Sequence, residues 1–148
     1  MATIVEHSGL AGELEEKGFV QARAAFHPAF MDSLLLKAHA TLFRETAESR
    51  EAVKSNGSLI HLADNPEYAD VIASPILLDL LRECGATDPR FTGGFLISKP
   101  GKGPPLFWHQ DWWGWDDDSA YEPRANQLFA MIYLTSTRVE NGCLRVIP

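Results

Sequence analysis

The sequence predicts an α+β domain, helices first and strands afterwards. Three observations carry this. Apolar residues recur at helical spacing before residue 90, most clearly Phe30, Leu34, Ala38 and Leu42, every fourth position. After residue 90 the pattern shifts to short runs rich in β-branched and aromatic residues, such as Q-L-F-A-M-I-Y-L-T at 127–135. No internal repeat or low-complexity tract divides the chain, and 148 residues suffice for one domain with a sizeable core. Helices packed on a β-sandwich is the other arrangement this order allows.

Taken in order, Ser8 can cap a short helix over residues 9–17, with Leu10 and Leu14 on one face and Gly18 ending it. Residues 18–21, G-F-V-Q, read as a short strand. Phe26-His27-Pro28 is a turn into a second helix, since proline suits a first helical turn. That helix runs to about Ala47. Residues 46–57 are polar and of mixed charge, a surface connection. Residues 58–62 form a short strand containing His61. Asn65-Pro66 opens a helical turn through Ile72. Ser74-Pro75 starts another helix, with Ser74 as N-cap, an apolar face of Ile76, Leu77, Leu80 and Leu81, and Gly85 as terminator.

The second half begins with a strand at 91–99. Gly93 and Gly94 inside it signal a bulge or a close backbone approach. An aromatic stretch and an acidic loop lead to Pro123. Residues 127–135 are a strong strand, Glu140-Asn141-Gly142 is a turn, and 143–147 a last strand.

Bulk properties exclude several classes. A net charge of −7 and a pI near 5.1 argue against nucleic acid or an anionic membrane surface as partner. Two cysteines without a C-x-x-C argue against a disulfide scaffold and for a reducing, cytoplasmic setting. No apolar run reaches the roughly 18 residues of a membrane span. The first sixteen residues carry acids and no apolar leader, so no signal peptide is expected.

The chemistry concentrates in residues 106–118, L-F-W-H-Q-D-W-W-G-W-D-D-D, which hold all four tryptophans. His109 and Asp111 are two apart, so on an extended segment both point the same way. An imidazole and a carboxylate are two thirds of the facial triad that grips Fe(II) from one side. Alone, the pair fits either such a metal site or a hydrogen-bonded surface pair.

Other residues carry two readings each. His61 can face a bound molecule or be a satisfied half-buried histidine. Trp108, Trp112 and Trp113 can cage a substrate or pack a loop. Asp116, Asp117 and Asp118 lack calcium-loop spacing and read as a solvated loop. Cys84 and Cys143 read as buried small hydrophobes. Lys99 is a turn residue or a ligand contact. Arg145 alternates with Leu144 and Val146 and is expected to face outward.

Set together, F-L-I-S-K-P-G, W-H-Q-D, the tryptophan four residues beyond Asp111, E-P-R, L-F-A-M-I-Y-L-T and E-N-G-C-L-R-V-I-P resemble the phytanoyl-CoA dioxygenase family, which includes ectoine hydroxylase. The resemblance is best over residues 91–148 and looser before them. It implies a double-stranded β-helix (a jelly roll) with helices packed on one side, residues 1–90 acting as helical support and 91–148 as the strands carrying the site. It implies Fe(II), 2-oxoglutarate and O₂, and hydroxylation of an unactivated C–H bond in a small molecule. His109 and Asp111 match the first two iron ligands. Phe95 matches an apolar residue lining the 2-oxoglutarate pocket, Lys99 the lysine of a K-P-P-like turn, Gln110 the position between the ligands, and Trp115 a tryptophan near cosubstrate and substrate. Halogenating relatives replace the carboxylate by a small residue. Asp111 is present, so the resemblance implies hydroxylation.

One departure accompanies the match. In the family, N-G-x-L-x-V-I-P runs on into Gly-Ser-His, which supplies the third ligand, and a later Arg pairs with 2-oxoglutarate. This sequence stops at Pro148, and His7, His27, His39 and His61 lie elsewhere. The resemblance therefore implies a single dioxygenase domain incomplete at its C-terminus, inactive as residues 1–148 alone. The alternatives are a non-catalytic relative that binds a small molecule or partner, and a second copy completing the site through unpaired strand edges. The aromatic, acidic rim suits a neutral or cationic ligand.

Overall fold

The computed structural model describes residues 9–53, 57–99, 101, 105–111, 116–122 and 126–147. Helix α1 (Leu10–Lys17) starts one residue later than expected, with Gly9 at its N-cap. Ser8, the expected cap, lies outside the described residues. Gly18 ends it as expected, its N–H donating to Leu14 O at 2.8 Å. The strand expected at 18–21 does not form. No backbone lies paired with it among the described residues, and an extended segment is held as a strand only by a ladder.

Helix α2 (Pro28–Arg44) has Pro28 in its first turn, as expected, and His27 as an unforeseen cap: its Nδ1 accepts from Ala29 N at 3.2 Å. Leu34, Ala38 and Thr41 form the buried stripe. The helix stops short of Ala47 because Glu45 turns extended, with ψ 132°. The Glu45 side chain, only 2% exposed, accepts from Arg50 Nε at 3.1 Å and from the Ser58 hydroxyl. One carboxylate thus joins the end of α2 to α3 (Ala47–Ala52) and to strand β1 (Ser58–His61). Helix α3 corrects the expected surface connection. Thr46 caps it, Oγ1 accepting from Ser49 N at 3.1 Å, and Glu48 sits in the first turn, where the helix dipole favours an acid.

Two 3₁₀ turns, Leu62–Asp64 and Pro66–Tyr68, lead into α4 (Ala69–Ile72), close to the helical turn expected from Pro66. Helix α5 (Pro75–Glu83) has Pro75 at its start, but Ser74 makes no capping bond through its side chain. Proline has already removed one of the N–H groups that a first turn leaves unpaired. The apolar face is only half covered, and Ile76 is 42% exposed. The helix closes as expected at Gly85. Ala86 N donates to Leu81 O and Gly85 N to Arg82 O, both at 2.9 Å, which needs the left-handed φ of 94° that glycine adopts freely.

Leu34, Tyr68 and Val71 form the core, with Phe30, Leu62, Leu96, Ile132 and Leu134 packed around it. The core is not purely apolar. Tyr68 donates its hydroxyl proton to Thr41 Oγ1 at 2.9 Å, and Thr41 donates onward to Lys37 O at 3.1 Å. The Tyr68 and Thr41 hydroxyls therefore each have a partner, which offsets the cost of burying them.

Strand β2 (Phe95–Ser98) pairs antiparallel with β1, from Ser58 opposite Ser98 to His61 opposite Phe95. Leu96 faces the helices, while Phe95 and Ile97 face away. The close approach expected of the glycines occurs at Gly94. Its carbonyl accepts from Leu62 N at 3.0 Å, and a Cβ there would lie 3.1 Å from Leu62 Cδ1 and 3.2 Å from Phe91 Cε2. At Gly93 nothing comes near.

The strands expected at 127–135 and 143–147 are not in a ladder. The first keeps a strand's alternation all the same: Ile132 and Leu134 turn to the core, and Phe129, Met131 and Tyr133 turn out. It lacks a hydrogen-bonded neighbour among the described residues. Instead of a hairpin, Asn141-Gly142 closes a 3₁₀ turn, Val139–Asn141, with Cys143 N donating to Arg138 O at 2.9 Å. Cys84 and Cys143 are free thiols, half-buried rather than buried. Helices and a two-stranded sheet are thus the architecture of the described residues, and the expected jelly roll is not seen among them. No described helix is long and apolar enough to cross a membrane.

Candidate functional site

His109 and Asp111 lie together, as their spacing predicts. His109 Nε2 stands 3.2 Å from Asp111 Oδ1, with both side chains partly open to solvent. The other ring nitrogen, Nδ1, is 2.8 Å from Phe107 O. A carbonyl only accepts, so Nδ1 carries a proton and donates it. In the neutral imidazole this leaves an Nε2 lone pair directed at a carboxylate oxygen. With a second proton on Nε2 the two form an ordinary ion pair; without it, the lone pair and the carboxylate oxygen are available to one metal ion. A histidine that donates Nδ1–H to a backbone carbonyl and presents Nε2 is also the usual form of a metal-ligating histidine.

The Phe107 ring lies 5.2 Å from the His109 ring. The contacts from 107 to 109 and from 109 to 111 place these three side chains on one side of the segment. Residues 108 and 110 then fall on the other. Arg145 stands over the Trp108 ring, its guanidinium carbon 5.0 Å from the ring centre, and Trp108 is otherwise exposed. Arg145 was expected to face outward into solvent; it is exposed but seated on an aromatic face. Gln110, expected to orient the site, lies on the side away from the His109–Asp111 pair by the same alternation.

The remaining expected residues are dispersed. Phe95 stands on the open face of β2, and its ring is 4.5 Å from that of His61 across the ladder. His61 is exposed rather than half-buried. Lys99 follows β2 and is exposed. Trp112, Trp113 and Trp115 lie outside the described residues. No group of three or more His, Cys, Asp or Glu side chains able to hold a metal ion occurs among the described residues. Sequence reasoning missed His61 as the partner of Phe95: both strands were expected, but their antiparallel pairing was not.

Elsewhere in the described residues, Tyr133 and Cys84 titrate away from their ordinary values. Partial burial lifts the Tyr133 hydroxyl, and Cys143 adds to the shift, which places the two segments 127–135 and 143–147 near each other. Burial likewise raises the Cys84 thiol, with Glu83 contributing.

A family model for phytanoyl-CoA dioxygenase (PhyH) matches residues 14–148. The chain belongs to the phytanoyl-CoA dioxygenase family. A similar protein is a probable alpha-ketoglutarate-dependent hypophosphite dioxygenase of Stutzerimonas stutzeri, 32% identical over 111 residues. The match covers 68% of this chain and 36% of that relative, so the chain spans little more than a third of the relative's length. No solved structure matches. Membership relates this phytanoyl-CoA dioxygenase family chain to oxygenase-type enzymes that use 2-oxoglutarate, and it agrees with the family that the site motifs resemble.

Proposed function

We propose that the chain carries part of the active site of an Fe(II)- and 2-oxoglutarate-dependent dioxygenase, with His109 and Asp111 as two of the iron ligands. The observation that carries this is the orientation of His109. Its Nδ1–H is committed to Phe107 O, and its Nε2 faces Asp111 Oδ1 at 3.2 Å. One nitrogen and one carboxylate oxygen suit Fe(II) and leave further positions open. Iron with 2-oxoglutarate and O₂ supplies the oxidising power for hydroxylating an unactivated C–H bond.

The chain's own residues do the rest. Phe107 O holds the imidazole in the tautomer that exposes Nε2. Asp111 supplies negative charge beside it. Phe95, with His61 against its ring, offers an apolar wall for the 2-oxoglutarate chain, and Lys99 at the end of β2 offers a cation for a carboxylate. By the family resemblance Trp115 completes the proposed cosubstrate region, while Gln110, on the other side of the segment, is left outside it. The substrate is a small molecule, as is the hypophosphite named for the relative. In the proposed fold the outward residues Phe129, Met131 and Tyr133 line the interior of a jelly roll whose outer side rests on the helices through Ile132 and Leu134.

Anaerobic titration with Co(II), a spectroscopic stand-in for Fe(II), tests the reading. The protein is expected to bind one Co(II) with a ligand-field spectrum. Asp111→Ala is expected to weaken binding by about a hundredfold or more, since removal of a mere outer partner already costs 10–100-fold. Folded protein that takes up no Co(II), or an Asp111→Ala variant that binds as well as the parent, overturns it.

A further inference from the structure

We propose that Arg145 is a positioning residue for the metal pair, acting through Trp108 from the side of the segment that faces away from the metal. This rests on the reading of His109 and Asp111 as ligands. Phe107, His109 and Asp111 share one side, as their contacts show. That face is fixed internally by the bond from His109 to Phe107 O, and among the described residues no hydrogen bond or ion pair ties it to the body of the protein. Among the described residues the segment 105–111 belongs to no ladder, and all of its residues are exposed. A ligand pair on such a segment is held only as well as the segment itself.

The anchor lies on the opposite side. Arg145 spreads its guanidinium over the Trp108 ring, 5.0 Å from the ring centre. Trp108 is the residue directly before His109, so tilting the indole moves the backbone that carries the imidazole. Arg145 is in turn carried by the segment that follows Gly142. That segment starts from the 3₁₀ turn, where Arg138 O holds Cys143 N and Asn141 Nδ2 donates to Ser136 O at 2.9 Å. The 136–143 turn therefore reaches the ligand segment through one cation–π contact. Arg145 suits this role because a guanidinium is planar and weakly hydrated and stacks on an indole face. No carboxylate among the described residues draws it away, in contrast to Arg44, Arg50, Arg82 and Arg90, each of which pairs with an acid.

The test is Co(II) affinity, read by the ligand-field spectrum of anaerobic protein, for the parent, Arg145→Gln, Arg145→Lys, Trp108→Leu and the Arg145→Gln/Trp108→Leu double variant. Arg145→Gln is expected to weaken Co(II) binding by roughly two- to fivefold, the size of an exposed cation–π contact. Trp108→Leu is expected to do the same, and the double variant no more than either single one, because both remove one contact. Arg145→Lys restores part of the loss by returning the cation. The thermal midpoint stays at the parent value throughout, which separates positioning from a general loss of fold. Parent-like affinity in Arg145→Gln, or losses that add in the double variant, overturns the proposal while leaving the two-ligand reading intact. Parent protein that takes up no Co(II) overturns that reading and this proposal with it.

Discussion

Residues 10–86 and residues 91–147 arrive at their structure by different routes. The first region is held by bonds within its own elements, joined by a few side-chain bonds between them such as Tyr68 to Thr41 and Arg44 to Glu67. His27 and Thr46 cap helices, Gly85 closes one, and Glu45 draws three consecutive elements onto a single carboxylate. The second region carries the candidate chemistry and has little of this. One four-residue strand is paired and packs on the core through Leu96, while the run at 127–135 packs there through Ile132 and Leu134, and neither it nor 143–147 has a ladder neighbour among the described residues. A helix completes its hydrogen bonds internally, whereas a strand depends on chain that is distant in sequence. The contrast implies that the helical region sets the stability of the protein, and that the site region can be altered with little effect on it.

The largest expected effect tests the first half of that statement. Leu34 is 5% exposed and touches the elements of both regions through the shared core. Leu34→Ala removes buried methylenes and leaves a cavity, so it should cost about 2–5 kcal/mol. Urea unfolding followed by far-UV circular dichroism measures it. If the cost is no larger than for Ile97→Ala, on the open face of β2, the core does not sit where the helices place it.

A smaller effect is expected at the junction. Gly94 O accepts from Leu62 N, and a Cβ at Gly94 would press on Leu62 and Phe91 at 3.1 and 3.2 Å. Both neighbours are side-chain atoms that can give by a few tenths of an ångström. Gly94→Val should therefore cost about 1–3 kcal/mol, as overpacking does, and Gly94→Ala less. Gly93 has open space around it, so Gly93→Ala serves as the control. Equal losses at 93 and 94 would mean that backbone entropy, not contact, governs this turn.

Legibility in the sequence followed the same division. Pro28, Pro75, Gly18 and Gly85 announced helix ends correctly because their effects are local. Helix α3 was hidden because its cap, Thr46, lay in a stretch whose mixed charge read as loop. Side-chain alternation at 127–134 was legible, but its pairing was not, since hydrogen-bonded neighbours cannot be read from one run of residues. At the site, the spacing of His109 and Asp111 foretold that they would meet. The tautomer of His109 was not foreseeable, because it depends on the Phe107 carbonyl, and backbone direction is not encoded in residue type. Arg145 is exposed, as its alternation foretold, but its seat on Trp108 was not legible: alternation says which way a side chain leaves its own segment, not what stands in its path.

The smallest expected effect sharpens the comparison through pH. Glu67 follows Pro66 in the 3₁₀ turn and pairs with Arg44 of α2. Its carboxyl is held below its ordinary value of 4.5, first by its own backbone N–H, then by the hydrogen bond and charge of Arg44, with Lys37 adding a little and desolvation opposing. A carboxyl whose folded value is depressed favours the folded state when ionised. Its contribution is present in full above 4.5 and is lost as the pH falls through the lower folded value. The pair lies near solvent, so the effect is modest and weakens with salt. Glu67→Gln should lower the urea midpoint slightly at neutral pH, and the gap from the parent should close on acidification below 4.5. A gap that stays constant with pH would trace the loss to packing, not charge. By contrast, Asp111→Ala leaves the capping and core contacts of residues 10–86 untouched and should leave the urea midpoint near the parent value at neutral pH, since Asp111 is exposed and belongs to the region of the candidate site, which does not bear the fold.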